Sequence, residues 1–217
     1  MLQRSLIRVR SLKQVLGVLF IFLCIQTYAQ KETLQTIDAK NISEIIISSD
    51  EVFKITLATT KDSVVTMKTE SEGEYFQNIS ITTNITGKTL TVSSQYPEIL
   101  TSGFDKLSAH KVFAVQVFLK VPENLNVTII SNVASVFGSG SYKKLELELK
   151  SGQCVLSNFN GNLLVNTYNG NIIVETNYAK VEAESRHGNV QNTLKHSGEN
   201  LLKLKTIDGD ISVTQSQ

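Results

Sequence analysis

The sequence is poor in the residues that build disulfides and metal sites. Its 217 residues include two cysteines, three histidines and no tryptophan. Cys24 lies within the segment 1–29, so only Cys154 remains once that segment is removed. A single cysteine cannot form an internal disulfide, and no metal cluster can be assembled around it. We therefore predict no cofactor, no metal, and a fold held by burial and hydrogen bonding alone.

An excess of charge of one sign is also missing. The formal net charge is +1, and the segment 1–29 carries four basic side chains without an acidic one. The remainder of the chain therefore has 17 basic and 20 acidic residues. Proteins that bind nucleic acid carry a basic patch or stripe. The charge balance predicts no nucleic-acid partner.

The segment 1–29 has the three parts of a secretory signal peptide. A basic segment ends at Lys13, an apolar segment covers residues 15–25, and Thr27 and Ala29 place small residues before a cleavage point. The apolar segment is shorter than the roughly 20 residues that span a bilayer. We predict cleavage after Ala29 and export to the periplasm or the extracellular space. The mature chain is then not integral to the membrane.

No segment of the mature chain has the 3.6-residue periodicity of a helix. Residues 30–121 contain short β-branched runs separated by turn residues, which predicts successive antiparallel strands. These runs are 42–47, 52–57, 63–67, 79–83 and 89–92. Residues 96–111 interrupt the pattern with proline and glycine, so we expect a long surface loop there. An alternating strand then ends at Pro122, because proline cannot donate to a strand ladder.

A nine-residue repeat occupies residues 122–217. Gly152, Gly161 and Gly170 are nine residues apart, and Gly188 follows at twice that spacing. The third position is apolar in all ten units: Val127, Val136, Leu145, Cys154, Leu163, Ile172, Val181, Val190, Leu202 and Ile211. One strand-and-turn unit cannot bury its own apolar side chains, whereas stacked units form a continuous core.

The predicted fold is therefore all-β. Residues 122–217 are expected to form a single-stranded β-solenoid, similar to a β-helix or β-roll, with about nine residues per strand-turn unit and about 18 per coil. The strands of residues 30–121 precede it and pack on it or extend it. The predicted organisation is a signal peptide at 1–29, a strand region at 30–121 and a repeat region at 122–217.

The fourth position of each unit should point outward. On one side of the coil this position gives the row Phe137, Val155, Ile173, Gln191 and Ser212. Water disfavours an exposed aliphatic row, since apolar burial is worth about 25 cal/mol per Å². Either the strands of residues 31–121 or the loop at 96–111 cover it, or it binds a partner. Phe137, Val155 and Ile173 are the candidate site.

Other residues with possible chemistry have simpler interpretations. His187 and His196 fall at corner positions without recurring acidic or cysteine partners, and His110 falls in the long loop. Cys154 is at an inward position, where a thiol behaves as a small hydrophobe. The Asp208-Gly209-Asp210 turn resembles part of a calcium loop, but the equivalent turns at Gly161 and Gly170 carry asparagine. We predict no catalytic, cofactor-binding or metal-binding residue.

Residues 121–129 and the small–polar–apolar steps after them resemble the bacterial putative-adhesin domain family. These steps begin at Ala134, Gly152, Gly170, Gly188 and Gly209. The resemblance covers most of residues 38–217 and implies an exported β-solenoid protein of unassigned function, with no catalytic motif to transfer. The Thr-Tyr-Ala-Gln segment at 27–30 is similar to the signal ends of Bacteroidetes secreted proteins.

Two classes of function follow. The first is a non-enzymatic protein, an adhesin or a structural component, that meets an unknown protein or glycan at the cell envelope. The second is a carbohydrate-active β-helix enzyme, which needs paired carboxylates on one face. The outward acids Glu146 and Glu182 are interspersed with Leu164 and Lys203, which argues against the enzyme. A periplasmic sensing partner of a regulatory system is a further alternative.

Overall fold

A computed structural model describes residues 30–73, 79–95 and 113–216 of the chain, and within these ranges the regular structure consists of strands alone. The all-β prediction is confirmed. The strands are β1 (Gln30–Asp38), β2 (Glu44–Ser48), β3 (Val52–Thr60), β4 (Val64–Gly73), β5 (Ser80–Thr86), β6 (Thr89–Gln95), β7 (Phe113–Pro122), β8 (Asn126–Ser131), β9 (Ser135–Ser151), β10 (Cys154–Asn169), β11 (Ile172–Thr176), β12 (Ala179–Ser185), β13 (Val190–Asn192), β14 (Asn200–Asp208) and β15 (Ile211–Gln215). None of the described ranges contains a helix long and apolar enough to cross a bilayer.

Alternation of apolar and polar residues builds each strand. In the second half of β9, Leu145, Leu147 and Leu149 are buried, whereas Glu148 between them is exposed. Successive side chains of a strand point to opposite faces, so this pattern places one face in the core and the other in water. Fully burying one such leucine contributes about 1.5–3 kcal/mol.

The strands pair in two series that share β9 and β10. The first layer is β1-β4-β7-β3-β9-β10-β11-β15-β13, and the second layer is β5-β6-β2-β8-β9-β10-β14-β12. β9 and β10 turn a corner, so their first halves belong to the first layer and their second halves to the second. The buried side chains of both layers form one hydrophobic cluster. The chain therefore winds as a flattened, solenoid-like coil with one strand in each layer.

From β8 to β11, most paired residues are 18 positions apart. Cys154 of β10 pairs with Val136 of β9 and with Ile172 of β11 in the first layer. In the second layer, Leu145 pairs with Val127 and Leu163. This separation equals two repeats of nine, so one coil contains two units. All of these residues are buried.

The parallel stacking also includes strands before Pro122. β2 pairs in parallel with β6 and β8, and β3 pairs in parallel with β7 and β9. The sequence predicted antiparallel strands here, and the structure has antiparallel pairs only between β1 and β4, β4 and β7, and β5 and β6 within its described ranges. The difference has a physical cause, because Ile45 and Ile55 both fill inward positions of one coil and are stacked on Val127 and Val136.

The coils do not stack in the order of the chain. β14 lies between β10 and β12, and β15 lies between β11 and β13. Leu202 consequently pairs with Leu163 on one side and Val181 on the other. The same inversion occurs at the other end of the stack. β7 lies between β3 and β4 in the first layer, and β6 lies between β2 and β5 in the second. Each end of the stack is closed by strands that come earlier in the chain than their inner neighbours.

Polar side chains support this order. The Asn171 Oδ1 atom accepts a hydrogen bond of 2.9 Å from the backbone N–H of Asp210, and Asp210 Oδ1 accepts one of 2.7 Å from the N–H of Asn189. Lys203 Nζ lies 3.7 Å from a carboxylate oxygen of Glu182 on the neighbouring β12 strand. An exposed ion pair contributes at most about 1 kcal/mol, and a hydrogen bond about 1 kcal/mol. Together these contacts distinguish the observed neighbours from the alternative order.

Two corner glycines allow adjacent coils to touch through their backbones. Gly152 and Gly161 have φ angles of 130° and 132°, a region that side chains rarely adopt. A Cβ atom at Gly152 would lie 2.1 Å from the carbonyl oxygen of Ala134, and one at Gly161 would lie 2.1 Å from that of Tyr142. At these two corners, the adjacent coils are therefore too close for a side chain.

Candidate functional site

The three residues of the predicted apolar row lie side by side on the outer surface of the first layer. Phe137 pairs with Val155, and Val155 pairs with Ile173. Phe137 and Val155 are half-buried, and 37% of Ile173 is exposed. Ser212 follows Ile173, and Gln191 follows Ser212 at the end of the stack, which reverses the chain order of those two residues. Phe137, Val155 and Ile173 therefore form a continuous apolar strip on the first layer, and the two polar residues lie at its end.

The strip extends beyond the repeat region. Thr56 of β3 pairs with Phe137, and Phe118 of β7 pairs with Thr56. The ammonium group of Lys54 lies 5.3 Å from the centroid of the Phe137 ring, which is a cation–π contact. Sequence reasoning missed these residues because it predicted antiparallel strands before Pro122, which pack on the coil or extend it, and gave them no register with the repeat. The signal was present in the alternation of residues 113–121, where Phe118 falls on the outward side.

The strands of residues 31–121 do not lie across this strip. β1, β3, β4 and β7 continue the first layer edge to edge, and β2, β5 and β6 belong to the second layer. The expectation that this sheet packs over the strip therefore differs from the structure. The loop at 96–111, the other cover considered from the sequence, lies outside the described residues, and so does His110.

A groove runs along the outer surface of the second layer. One of its sides is a paired row at the sixth positions of the repeat and their equivalents: Ser48, Ile130, Glu148, Asn166, Lys205 and Glu184. The other side contains Asn132, Lys150, Tyr168, Ile207 and Arg186. Two adjoining depressions of about 600 and 390 Å³ make up the groove, and they share Glu148 and Tyr168. We call this surface the Tyr168 groove.

Hydrogen bonds and ion pairs hold the carboxylates of the groove. Asn166 Nδ2 donates to Glu148 Oε1 at 2.9 Å, and Lys205 Nζ lies 3.3 Å from Glu184 Oε2. At the end of the groove, Asp50 accepts hydrogen bonds of 2.9 and 2.7 Å from the backbone and side chain of Asn132. The acids of the groove thus have partners within it, and each carboxylate can accept further hydrogen bonds from a ligand.

The other polar residues singled out from the sequence take part in local contacts. His187 Nδ1 lies 2.6 Å from Asp208 Oδ1, and His196 packs against Tyr178 with ring centroids 5.9 Å apart. The second carboxylate of the Asp208-Gly209-Asp210 turn accepts the N–H of Asn189. In the described ranges, no group of three or more histidine, cysteine, aspartate or glutamate side chains is placed to hold a metal ion.

The outward acids Glu146 and Glu182 are far apart. Glu146 pairs with Leu164, Leu164 with Lys203, and Lys203 with Glu182. Three strand spacings of about 4.8 Å therefore separate the two residues, or roughly 14 Å. Glycosidase carboxylates lie about 5–9.5 Å apart. These two residues do not form such a pair.

The thiol of Cys154 is fully buried, and this burial raises its pKa to about 12. Since only the thiolate is nucleophilic, we expect native protein to react with Ellman's reagent at about pH 8 at least 100-fold more slowly than protein unfolded in urea. The measurement is the rate of absorbance change with and without urea. Fast labelling of the native protein would contradict a closed core at this position.

No curated protein matches the sequence. Among solved structures, a putative cell adhesion protein from Clostridium sporogenes has a TM-score of 0.65 at 15% identity, over 86% of this chain and 99% of its own. A putative adhesin from Bacteroides fragilis has a TM-score of 0.35 at 10% identity, over 84% and 97% of the two chains. A putative adhesin from Parabacteroides merdae has a TM-score of 0.30 at 11% identity, over 86% of this chain and 97% of its own.

At these identities, the Clostridium structure shows a shared fold. The Toastrack DUF4097 family matches residues 26–217, which is most of the chain. The resemblance to the putative-adhesin domain family is thereby confirmed, and the chain belongs to the Toastrack DUF4097 family.

Proposed function

We propose that this protein is a non-enzymatic, exported adhesin-like protein whose β-rod binds a protein or glycan partner at the cell envelope. The observation that carries the proposal is the continuous parallel pairing from β6 and β7 at one end to β12 and β13 at the other. This pairing holds rows of outward side chains at fixed intervals on both layers. The core behind them is filled, so the faces of the coil are the surfaces available for binding.

A rigid face favours binding because few side chains must be ordered when a partner arrives. Each side chain that a complex immobilises costs about 0.5–1.5 kcal/mol, and a surface ordered in advance avoids part of that cost. Neighbouring rows lie about 4.8 Å apart in the stack, so a flat or extended partner meets the same spacing repeatedly. This geometry supports recognition by a surface in preference to enclosure in a pocket.

The placement of the carboxylates supports a non-enzymatic role. Glu148 and Glu184 of the Tyr168 groove are separated by Asn166 and Lys205 in the paired row, so they are also roughly 14 Å apart. Each is held by a neighbouring side chain. Acid–base chemistry on a glycosidic bond needs two carboxyl groups that flank one bond.

One feature of the sequence supports export. The segment 1–29 has the charge and hydropathy pattern of a signal peptide. We therefore propose the periplasm or the extracellular space as the compartment, with the mature chain not integral to the membrane. The Clostridium structure is described as a putative cell adhesion protein, which is consistent with this location.

The apolar strip provides a direct test. We expect the Phe137→Ser/Ile173→Ser double variant of residues 30–217 to lose at least tenfold in binding to envelope fractions while its melting temperature falls by only a few degrees. The reason is that both side chains lie on the outer face of the first layer and outside the hydrophobic core, so the strip contributes less to folding than to contact with a partner. Pull-down from outer-membrane and cell-wall fractions measures binding, and circular dichroism measures the melting temperature.

Ile85→Ser is the matched control, because Ile85 is 51% exposed on β5, in the other layer. This variant should bind like the unaltered protein. If the double variant binds normally and loses only stability, the strip is not a partner-binding surface.

A further inference from the structure

We infer that the Tyr168 groove binds a neutral oligosaccharide that lies along the axis of the coil stack. This inference rests on the proposed function and adds a ligand class and a second binding surface, on the layer opposite to the apolar strip. It is carried by three properties of the groove: an exposed aromatic ring near its middle, hydrogen-bonding groups of both kinds on either side, and a balanced charge.

Tyr168 supplies the ring. Its neighbours Thr167 and Asn169 pair with Leu149 and Ser151 on β9 and with Thr206 and Asp208 on β14, so Tyr168 lies between Lys150 and Ile207. The side chain is 57% exposed. Its hydroxyl has no hydrogen bond to any residue that the structure describes. Tyrosine combines an apolar ring with a polar tip, and the C–H face of a sugar ring has the shape and polarity to pack on it.

Hydrogen-bonding groups surround this ring. Glu148 lies in the adjacent row and accepts, whereas Lys150 and Arg186 donate; neither of these two cations forms an ion pair with a described residue. A sugar hydroxyl both donates and accepts, as serine and threonine hydroxyls do. The hydroxyls of a chain of sugar rings can therefore donate hydrogen bonds to the carboxylates and accept them from the cationic side chains. An apolar ligand can do neither.

The balance of charge selects among glycans. The groove has three acidic and three basic side chains, which are Asp50, Glu148, Glu184, Lys150, Arg186 and Lys205. A polyanion would be attracted by the basic side chains and repelled by the acidic side chains of the groove. A neutral polyol meets no such repulsion. The charge pattern therefore favours a neutral ligand over a uronic-acid polymer.

The length of the groove fits an extended ligand. Its paired row crosses six strands, from Ser48 on β2 to Glu184 on β12. Five spacings of about 4.8 Å give roughly 24 Å, which accommodates several sugar rings in a line. Ile130 and Ile207 add apolar area on either side of the tyrosine, and Ile130 is 46% exposed.

The experiment is isothermal titration calorimetry of residues 30–217 with cellohexaose, mannohexaose, chitohexaose and an oligogalacturonate of equal length. We expect at least one neutral hexasaccharide to bind and Tyr168→Ala to weaken it about tenfold, the loss typical of one aromatic contact. Tyr178→Ala is the matched control. Tyr178 is 61% exposed, outside the groove, and its loss should leave the affinity unchanged. Binding should also change little between low and high salt, because screening acts on charged ligands.

Several results would overturn the inference. These are no binding of any neutral hexasaccharide, equal losses for the Tyr168 and Tyr178 variants, or preferential binding of the oligogalacturonate with loss at high salt. Thermal melts of both variants show whether either substitution has altered folding. Where the chain still binds envelope fractions but no neutral hexasaccharide, the proposed function stands and the oligosaccharide assignment fails.

Discussion

Replacing Gly152 by alanine is expected to reduce the free energy of unfolding by more than about 3 kcal/mol. Two effects add at this position. The φ angle of 130° is strained for any residue with a side chain, and the new Cβ atom would lie 2.1 Å from the carbonyl oxygen of Ala134. That oxygen belongs to the backbone of the adjacent coil, so relief requires two coils to separate. Urea denaturation followed by circular dichroism measures the change.

Gly87→Ala is the control for this experiment. Gly87 also has a positive φ, of 62°, but a Cβ atom there would meet nothing within 4 Å. Left-handed strain alone costs about 1–2 kcal/mol. A larger loss at Gly152 than at Gly87 is expected from the contact between coils together with the greater strain of a φ angle of 130°. Equal losses at the two positions would show that neighbouring corners are not in contact.

Removal of residues 199–217 is expected to unfold the repeat region well beyond the deleted strands. This truncation deletes β14 and β15, and with them the buried side chains of Leu202, Leu204, Ile211 and Val213. At about 1.5–3 kcal/mol each, these four side chains contribute an amount comparable with the whole stability of a domain. Because β14 and β15 lie inside the stack, their loss also separates β12 and β13 from the rest.

Hydrogen exchange provides the measurement. We expect residues 179–192 to lose amide protection in the truncated protein although they are still present. Deletion of residues 30–38 is the control, because β1 pairs with β4 alone and has no fully buried residue. That deletion should lower the melting temperature only slightly. Retained protection at 179–192 would mean that β12 and β13 stack directly on β10 and β11, and that the coils are interchangeable.

The core of the repeat region could be predicted because it depends on a local pattern. An apolar third position recurs in every unit, and eight of the ten side chains there are buried, whereas Val181 is half-buried and Val190 is 45% exposed at the end of the stack. From β8 to β11, coils of two units are stacked at the 18-residue spacing that this repeat gives. The order of the last two coils is a different matter. Val181 and Leu202 are equally suited to pair with Leu163, so apolar periodicity does not distinguish them. The observed order of the two coils is favoured by ion pairs such as Lys203 with Glu182, which can be identified only after the strands have been aligned.

The parallel strands before Pro122 were hidden for a related reason. Ile45 and Ile55 are ten residues apart instead of nine, and the segment between them lacks the glycine or alanine that begins most units of the repeat. Short β-branched runs with polar turns are typical of antiparallel hairpins as well. The parallel arrangement is determined by the pairing of β2 with β8 and of β3 with β9, whose residues lie about 80 positions further along the chain.

The apolar strip and the Tyr168 groove differ in how far sequence predicts them. The strip was predicted because all of its repeat-region members share the fourth position. The groove draws on the sixth and eighth positions, which contain Asn166 and Tyr168. A comparison of those positions would have identified the aromatic residue. Its neighbours Ile207 and Arg186 depend on the inverted coil order and could not have been placed.

That inversion has a consequence for the route by which the protein folds. The slot between β10–β11 and β12–β13 is filled by strands that follow both in the chain. The coils therefore cannot form one after another in chain order, starting from the N-terminus. Contacts of high sequence separation must close late, which makes folding slow. The last two coils of such a chain remain incomplete until its C-terminal strands have been synthesised, and the export that we propose would use the chain before it folds.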